Sequence, residues 1–332
     1  MRILIAYDGS ELARESLAEL AMAGLPKDAE ALVLSVLDGW LPAEESRDGQ
    51  AEQVLPGLPK IRAETRAAVE RQRKTAEEGA ARLRAQFPGW KVTSGALADS
   101  PAWAIIKRAE GHDGGVGGKP ADLVVVGSHG YGGFKRLVLG SVSHKVVTEV
   151  QCAVRIVRSR GKTRDPLVSP PRIVIGVDGS EDSLAAVDAV AGRTWPQGTR
   201  VLIATFEQPI FIDAGIGGPY SVWGGSPAEY SSMVGAESVG EQIVTAAAER
   251  LRKRCPAVEI STVVKLGDPK YSLLDAAENW ADGSVKGADC IVVGAAGVRG
   301  IERFLLGSVS TAVAMGAHCS VEIVHALAGK QS

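Results

Sequence analysis

Gly127-Ser-His-Gly130, nine further residues and then Gly140-Ser141 follow directly on the apolar run Asp122-Leu-Val-Val-Val126. A β-branched run of this kind reads as a strand buried on both faces of a parallel sheet. Glycines placed straight after such a strand let the backbone turn sharply and let a ligand approach where a Cβ would stand. Gly140-Ser141 precedes Val142-Ser-His-Lys-Val-Val-Thr, a helix start. The free N–H groups and positive dipole end of a helix N-terminus suit phosphate. One copy alone is also compatible with an ordinary glycine turn after a strand.

The stretch occurs twice. Gly294-Ala-Ala-Gly297, nine residues and Gly307-Ser308 follow Asp289-Cys-Ile-Val-Val293, and positions 127 and 294, like 140 and 307, are 167 apart. Leu139-Gly-Ser-Val-Ser143 recurs letter for letter as Leu306-Gly-Ser-Val-Ser310. A duplicated turn with its spacing intact favours function over accident.

The rest of the chain repeats with it. Residues 3–7 read as a first strand, ended by Asp8-Gly-Ser-Glu11, with Ser10 as helix N-cap and Leu12, Leu17, Leu20 and Ala21 as the apolar face that follows. Residues 173–177 and the identical Asp178-Gly-Ser-Glu181 restart the order at an offset of 170. Strands are expected at residues 31–37, 91–96 and 153–157, and again at 200–205, 259–265 and 321–325. Helices are expected at 61–86, 102–110 and 241–253, the first with interspersed charges that mark a solvated face. Residues 111–118 hold five glycines and read as a flexible surface loop; Pro120 after Lys119 and Asp113 at the first glycine position rule out a Walker A motif. Residues 207–240, rich in Gly, Ser, Pro and aromatics, read either as a cover over the second site or as a disordered insert. The expected fold is α/β: two tandem, doubly wound, five-stranded, parallel-sheet (Rossmann-like) domains over residues 1–158 and 172–327, joined by a linker at 159–171 with charges and three prolines. In such sheets ligands lie outside the strands' carboxyl ends, where both Asp-Gly-Ser and the long glycine motif fall.

Composition narrows the function. With 332 residues and 45% hydrophobic content, two domains can each bury a core, and aromatics at 5% leave those cores to aliphatic side chains. A net charge of −2 provides no basic excess for nucleic acid. No apolar run approaches the ~20 residues of a membrane span, and the N-terminus reads as a first strand rather than a signal peptide. Cys152, Cys255, Cys290 and Cys319 form no CxxC pair and read as small buried residues. The expected location is the cytoplasm.

Asp-Gly-Ser after the first strand and G-x2-G-x9-G-S after the fourth resemble the universal stress protein family, over both halves. The resemblance implies strand order 3-2-1-4-5, ATP binding where the motif is intact, and pairing of domains through their last strands, here as an intramolecular pseudo-dimer that a further homodimer could extend. It places Asp8 and Asp178 beside the adenosine, Val36 and Thr205 at the base edge, and Gly127 and Gly294 beneath the ribose. Gly130, Gly140, Ser141, Val142 and Ser143 would hold phosphates, as would Gly297, Gly307, Ser308, Val309 and Ser310. Magnesium could accompany ATP through phosphate oxygens and a carboxylate such as Asp8. Ser128-His129 becomes Ala295-Ala296 in the second copy, which puts equal affinity in question.

No nucleophile, base or metal cluster accompanies the motif; His129 is its one histidine and its counterpart is Ala296. The expectation is a nucleotide-binding stress or regulatory protein rather than an enzyme. Slow ATP hydrolysis and a partner-binding module with vestigial sites are the alternatives. The last strands carry Arg155 and Glu322 at equivalent centres, 167 apart. They are expected to face each other as a cross-strand pair of about 0.2–1 kcal/mol that disfavours pairing of identical halves.

Overall fold

The structure is a computed structural model that describes residues 1–39, 58–129, 139–158, 169–207, 238–282, 285–297 and 306–326. The first half contributes strands β1 (Arg2–Ala6), β2 (Glu30–Asp38), β3 (Lys91–Asp99), β4 (Leu123–Gly127) and β5 (Ala153–Val157). Its helices are α1 (Glu11–Glu19), α2 (Leu58–Gln86), α3 (Pro101–Ala109) and α4 (Ser141–Glu149). The second half contributes β6 (Arg172–Gly176), β7 (Arg200–Glu207), β8 (Glu259–Leu266), the two-residue hairpin strands β9 (Ala281–Asp282) and β10 (Val285–Lys286), then β11 (Cys290–Gly294) and β12 (Ser320–Val324). Its helices are α5 (Glu181–Ala191), α6 (Val239–Arg254), α7 (Pro269–Asn279) and α8 (Ser308–Gly316).

Ten strands make one sheet in the order β3-β2-β1-β4-β5-β12-β11-β6-β7-β8. Each half therefore has the order 3-2-1-4-5, with every pair inside a half parallel. Alternate residues of a strand point to opposite faces, and both faces are covered. Leu4 and Val124 join Ile105 of α3, Val146 of α4, Leu273 of α7 and Val313 of α8 in a core shared by both halves. Ile3 and Ile5 pack with Leu17 of α1 and Ala76, Ala80 and Leu83 of α2 on the other face. Ile173 and Ile175 do the same with Val187 of α5 and Leu251 of α6. This double burial is why the central strands are almost unbroken Val, Ile and Leu.

Some sequence expectations shift. On α1 and the turn that follows it, Leu17 and Leu20 are buried but Leu12 and Ala21 only partly so. Helix α2 keeps its charged outer face, as in the Arg82–Glu78 pair at 3.1 Å, while Ala76, Ala80 and Leu83 seal the core. The glycine-rich loop at 111–118 is a compact turn rather than a loose one. Val116 is buried, its N–H donates to Lys119 O at 2.8 Å, and Gly111, Gly114, Gly115, Gly117 and Gly118 take positive φ. The glycines are there for backbone geometry that L side chains resist. The proposed cover at 207–240 and the linker at 159–171 lie largely outside the described residues.

Strands β5 and β12 pair antiparallel, with Arg155 opposite Glu322. The facing is as the sequence suggested, but the setting is not an ordinary cross-strand pair. Arg155 is 1% exposed and Glu322 0%. Arg155 Nη1 donates to Glu322 Oε2 at 3.1 Å, and its Nε and Nη2 donate to Glu19 at 3.1 and 2.6 Å. Arg193 completes the chain of charges by donating to Glu322 Oε1. Cys290 lies against Arg155 at 3.4 Å, and burial pushes its thiol up to about 12. A second crossing comes from Arg158, just past β5, whose Nη2 donates to Ala314 O and Met315 O at the end of α8 at 2.6 and 3.2 Å.

Candidate functional site

The carboxyl ends of β1 and β4 bring the two motifs of the first half to one edge of the sheet, and those of β6 and β11 do the same in the second. Asp8 is half-buried and its Oδ1 accepts from Ser10 N at 2.9 Å, which fixes the tight turn that Gly9 makes at φ 78°. Ser10 then caps α1 by accepting from Ala13 N at 3.1 Å. The turn recurs in the second half: Asp178 Oδ1 accepts from Ser180 N at 3.0 Å and Ser180 Oγ at 2.6 Å, and Gly179 has φ 83°. Asp178 is exposed.

The glycine motifs are built alike where described. Ser128 N donates to Val157 O at 3.0 Å and Gly140 N to Ser128 O at 2.7 Å; Ala295 N donates to Val324 O at 2.8 Å and Gly307 N to Ala295 O at 2.7 Å. These bonds bring the far glycine back to the end of the fourth strand, so α4 and α8 start beside it. Gly140 and Gly307 are the N-caps of those helices, and neither provides a side-chain cap. By contrast Ser10, Ser180, Ser238 and Asp268 cap α1, α5, α6 and α7 through side-chain oxygens. Helix α3 also starts without a side-chain cap, at Ser100 with proline in its first turn. But α4 and α8 are the two that begin at a glycine beside a strand end with their first N–H groups unclaimed by a cap side chain, the arrangement that receives an anion.

The residues assigned to phosphate divide into three kinds. Ser141 and Ser308 are exposed, and Val142 and Val309 are half-buried against the shared core. Ser143 and Ser310 are buried, and each hydroxyl donates to a strand-end carbonyl at 2.6 Å, of Gly127 and of Gly294. Their hydrogens hold the helix to the strand. Gly297 is half-buried beside Asp178, and Gly130 lies outside the described residues. His129 is half-buried, and its Nδ1 is buried with no hydrogen-bond partner among the described residues.

At the base edge the register corrects the sequence comparison. Ala6 pairs with Leu34 and Gly176 with Ala204, so Val36 corresponds to Phe206 rather than to Thr205. A one-residue shift moves a strand side chain to the opposite face. Val36 and Phe206 both pack on the shared core, whereas Thr205 is buried beneath Gly240 at the start of α6. The offset of 170 that relates the first strands also relates Val36 to Phe206, whereas Thr205 stands 169 residues on.

Gly127 and Gly294 are not equally crowded. A methyl on Gly127 would meet its nearest atoms at 3.4–3.6 Å, an ordinary contact, whereas one on Gly294 would lie 2.5 Å from the carbonyl carbon of Asp182. Gly294→Ala is therefore expected to lose about 1–3 kcal/mol by overpacking, and Gly127→Ala well under half of that. Urea unfolding of the two variants checks it, and equal losses would contradict the described turns.

Among the described residues, no three His, Cys, Asp or Glu side chains converge as a metal site, and no helix is long and apolar enough to cross a membrane. A family model described as the universal stress protein family matches residues 1–158 and 171–325. A universal stress protein of Mycobacterium tuberculosis is 29% identical over 207 residues, covering 60% of this chain and 61% of that protein. The match thus spans about three fifths of the curated relative's length. The crystal structure of a universal stress protein from Archaeoglobus fulgidus superposes with a TM-score of 0.55 at 18% identity, covering 98% of each chain. A family protein from Arabidopsis thaliana crystallised with AMP bound aligns to 49% of this chain and 97% of its own at 16% identity and a TM-score of 0.31.

Proposed function

Since the chain belongs to the universal stress protein family in both of its halves, we propose that it binds ATP-class adenine nucleotides at two positions, one per half, in a regulatory or stress-response role rather than as an enzyme. The observation that carries this reading is the pair of helices, α4 and α8, that start at glycine N-caps directly beside the ends of β4 and β11. Phosphates would lie against the backbone N–H groups of Ser141, Val142 and Ser143, and of Ser308, Val309 and Ser310, with Gly130, Gly140, Gly297 and Gly307 leaving the approach open. Asp8 and Asp178 would face the nucleoside, Gly127 and Gly294 the ribose, and Val36 and Phe206 the base. Any magnesium would be held mainly by phosphate oxygens, as is usual for this ion. The domains are read as residues 1–158 and 172–327, joined through β5 and β12 as an intramolecular pseudo-dimer.

Titration calorimetry with ATP tests the reading. The parent chain is expected to bind two nucleotides, and Gly140→Val and Gly307→Val to lose one each, because a branched side chain fills the approach to the helix end. Circular dichroism confirms that each variant is folded; Gly307 is the tighter position, a methyl there lying 3.1 Å from Ala295 O. Two nucleotides retained by both folded variants would refute the site. Steady-state phosphate release distinguishes binding from slow hydrolysis.

A further inference from the structure

The first turns of α1 and α5 differ at one position that touches the glycine motif. Residues 12 and 182 are equivalent, 170 apart, and are Leu12 and Asp182. Leu12 lies under the first motif, its Cδ2 3.5 Å from where a methyl on Gly127 would be. It has no polar atom with which to hold the turn. Asp182 ties the second motif to the end of β12, one oxygen to each. Oδ2 accepts from Ala296 N, inside the motif, at 2.7 Å, and Oδ1 accepts from Ala326 N, just past β12, at 2.6 Å. The motif is correspondingly drawn onto the acidic turn. A methyl on Gly294 would be 2.5 Å from Asp182 backbone, and one on Gly297 would be 2.6 Å from Asp178 Oδ2. Ser180 Oγ lies 3.4 Å from Ala296 O.

We propose that Asp182 makes the two nucleotide positions unequal: the second half takes phosphate-bearing nucleotides at least tenfold more weakly than the first, and residue 12 or 182 sets the difference. The proposal rests on the nucleotide reading above. Two physical effects point the same way. The N–H of Ala296, inside the glycine motif, already donates to a carboxylate and is withdrawn from an incoming phosphate, and releasing it would leave one oxygen of a charged acceptor without its donor, the costly way to lose a hydrogen bond. The carboxylate also brings to the turn a negative charge that Leu12 does not, and like charges at short range repel. Position 182 is in the first turn of α5, where the helix dipole favours an acidic residue. The carboxylate is therefore at home without a ligand, and the closed turn is the resting arrangement of the second half.

The test is calorimetry with ATP and, separately, AMP on the full chain. The parent is expected to show one tight and one weak position, with Gly140→Val removing the tight one. Asp182→Leu should bring the weak position to within a few fold of the tight one, and Leu12→Asp should weaken the tight one at least tenfold. Asp182→Asn keeps an acceptor for Ala296 N–H while removing the charge, and should recover part of the affinity if Asp182→Leu fails to fold. AMP, with less charge, should show a smaller gap than ATP. Two equal positions in the parent, or a gap that neither Asp182 variant narrows, overturns the proposal and leaves the nucleotide reading standing. No binding of either nucleotide by parent or variants overturns the nucleotide reading itself, and this proposal with it.

Discussion

Glu322→Leu is expected to unfold at markedly lower urea than the parent chain, by an amount equivalent to about 3–5 kcal/mol. The size follows from where the carboxylate stands. It is fully buried between Arg155 and Arg193, so its removal leaves two guanidiniums close together in the interior with the charge that joined them gone. Arg155 keeps Glu19, while Arg193 keeps the carbonyl of Ala23, at 3.0 Å, and the face of Trp195 but no carboxylate among the described residues. Replacing the strand pair together, Arg155→Met with Glu322→Leu, should recover only part of the loss: it removes the facing of two guanidiniums but leaves Glu19 and Arg193 without their partners. A loss below about 1 kcal/mol for Glu322→Leu, the range of solvated pairs, would show that the charges are not buried together. The acid limb provides a second reading. Burial alone would raise the Glu322 carboxyl, but Arg193 and Arg155 hold it below its ordinary value. A carboxyl depressed in the folded state stabilises fully above its unfolded value, about 4.3, and that contribution fades as pH falls through the folded value. The parent should therefore lose stability more steeply below about pH 4 than Glu322→Leu does.

Arg158→Met is expected to cost about 2–4 kcal/mol, from one buried and one part-buried carbonyl acceptor left without their donor and a cation lost from a helix C-terminus. Arg158 is buried; it belongs to the first half and closes the last turn of α8 in the second. Methionine keeps much of the apolar stem, so the loss reports the guanidinium rather than the volume. Arg158→Lys should recover only part, since a single ammonium cannot keep the fork's geometry. Urea unfolding measures both variants, and a loss no larger for methionine than for lysine would remove the capping role.

The fold was legible because the chain states it twice. Apolar strand runs, Asp-Gly-Ser turns and the long glycine motif recur in the same order, and the strand order of each half is the one the resemblance implied. What sequence reading missed lies where the copies disagree. Glu19 and Arg193 reach the buried charges from 136 and 129 residues away, with no local signal to announce them. Their counterparts in the repeat are Ala189 and Ala23, and those mismatches were the available clue. Arg158 against His325 and Leu12 against Asp182 are clues of the same kind. Ser143 and Ser310 have a structural role that the sequence did not announce. Repetition marked them as important, but a hydroxyl that pins a helix to its strand is retained as faithfully as one that meets a ligand. The duplicated pairs of Arg2 with Asp122 and Arg172 with Asp289, which tie the first strand to the fourth at the opposite end of the sheet, were passed over because the aspartates read only as strand boundaries.

The antiparallel seam between β5 and β12 lies within one polypeptide, with β5 ending at Val157 and β6 resuming at Arg172. A short tether of this kind presents each half to the other at an effective concentration in about the millimolar range, whatever the dilution of the protein. A seam closed under those conditions has no need of high intrinsic affinity, and a row of buried charges that adds little net free energy is no handicap to it. What the seam does need is to refuse the matching half of a neighbouring chain during synthesis, when many copies are crowded together. Arginine meeting arginine, or glutamate meeting glutamate, in a site that excludes water provides that refusal. It discriminates self from neighbour by charge, while proximity brings the right partner.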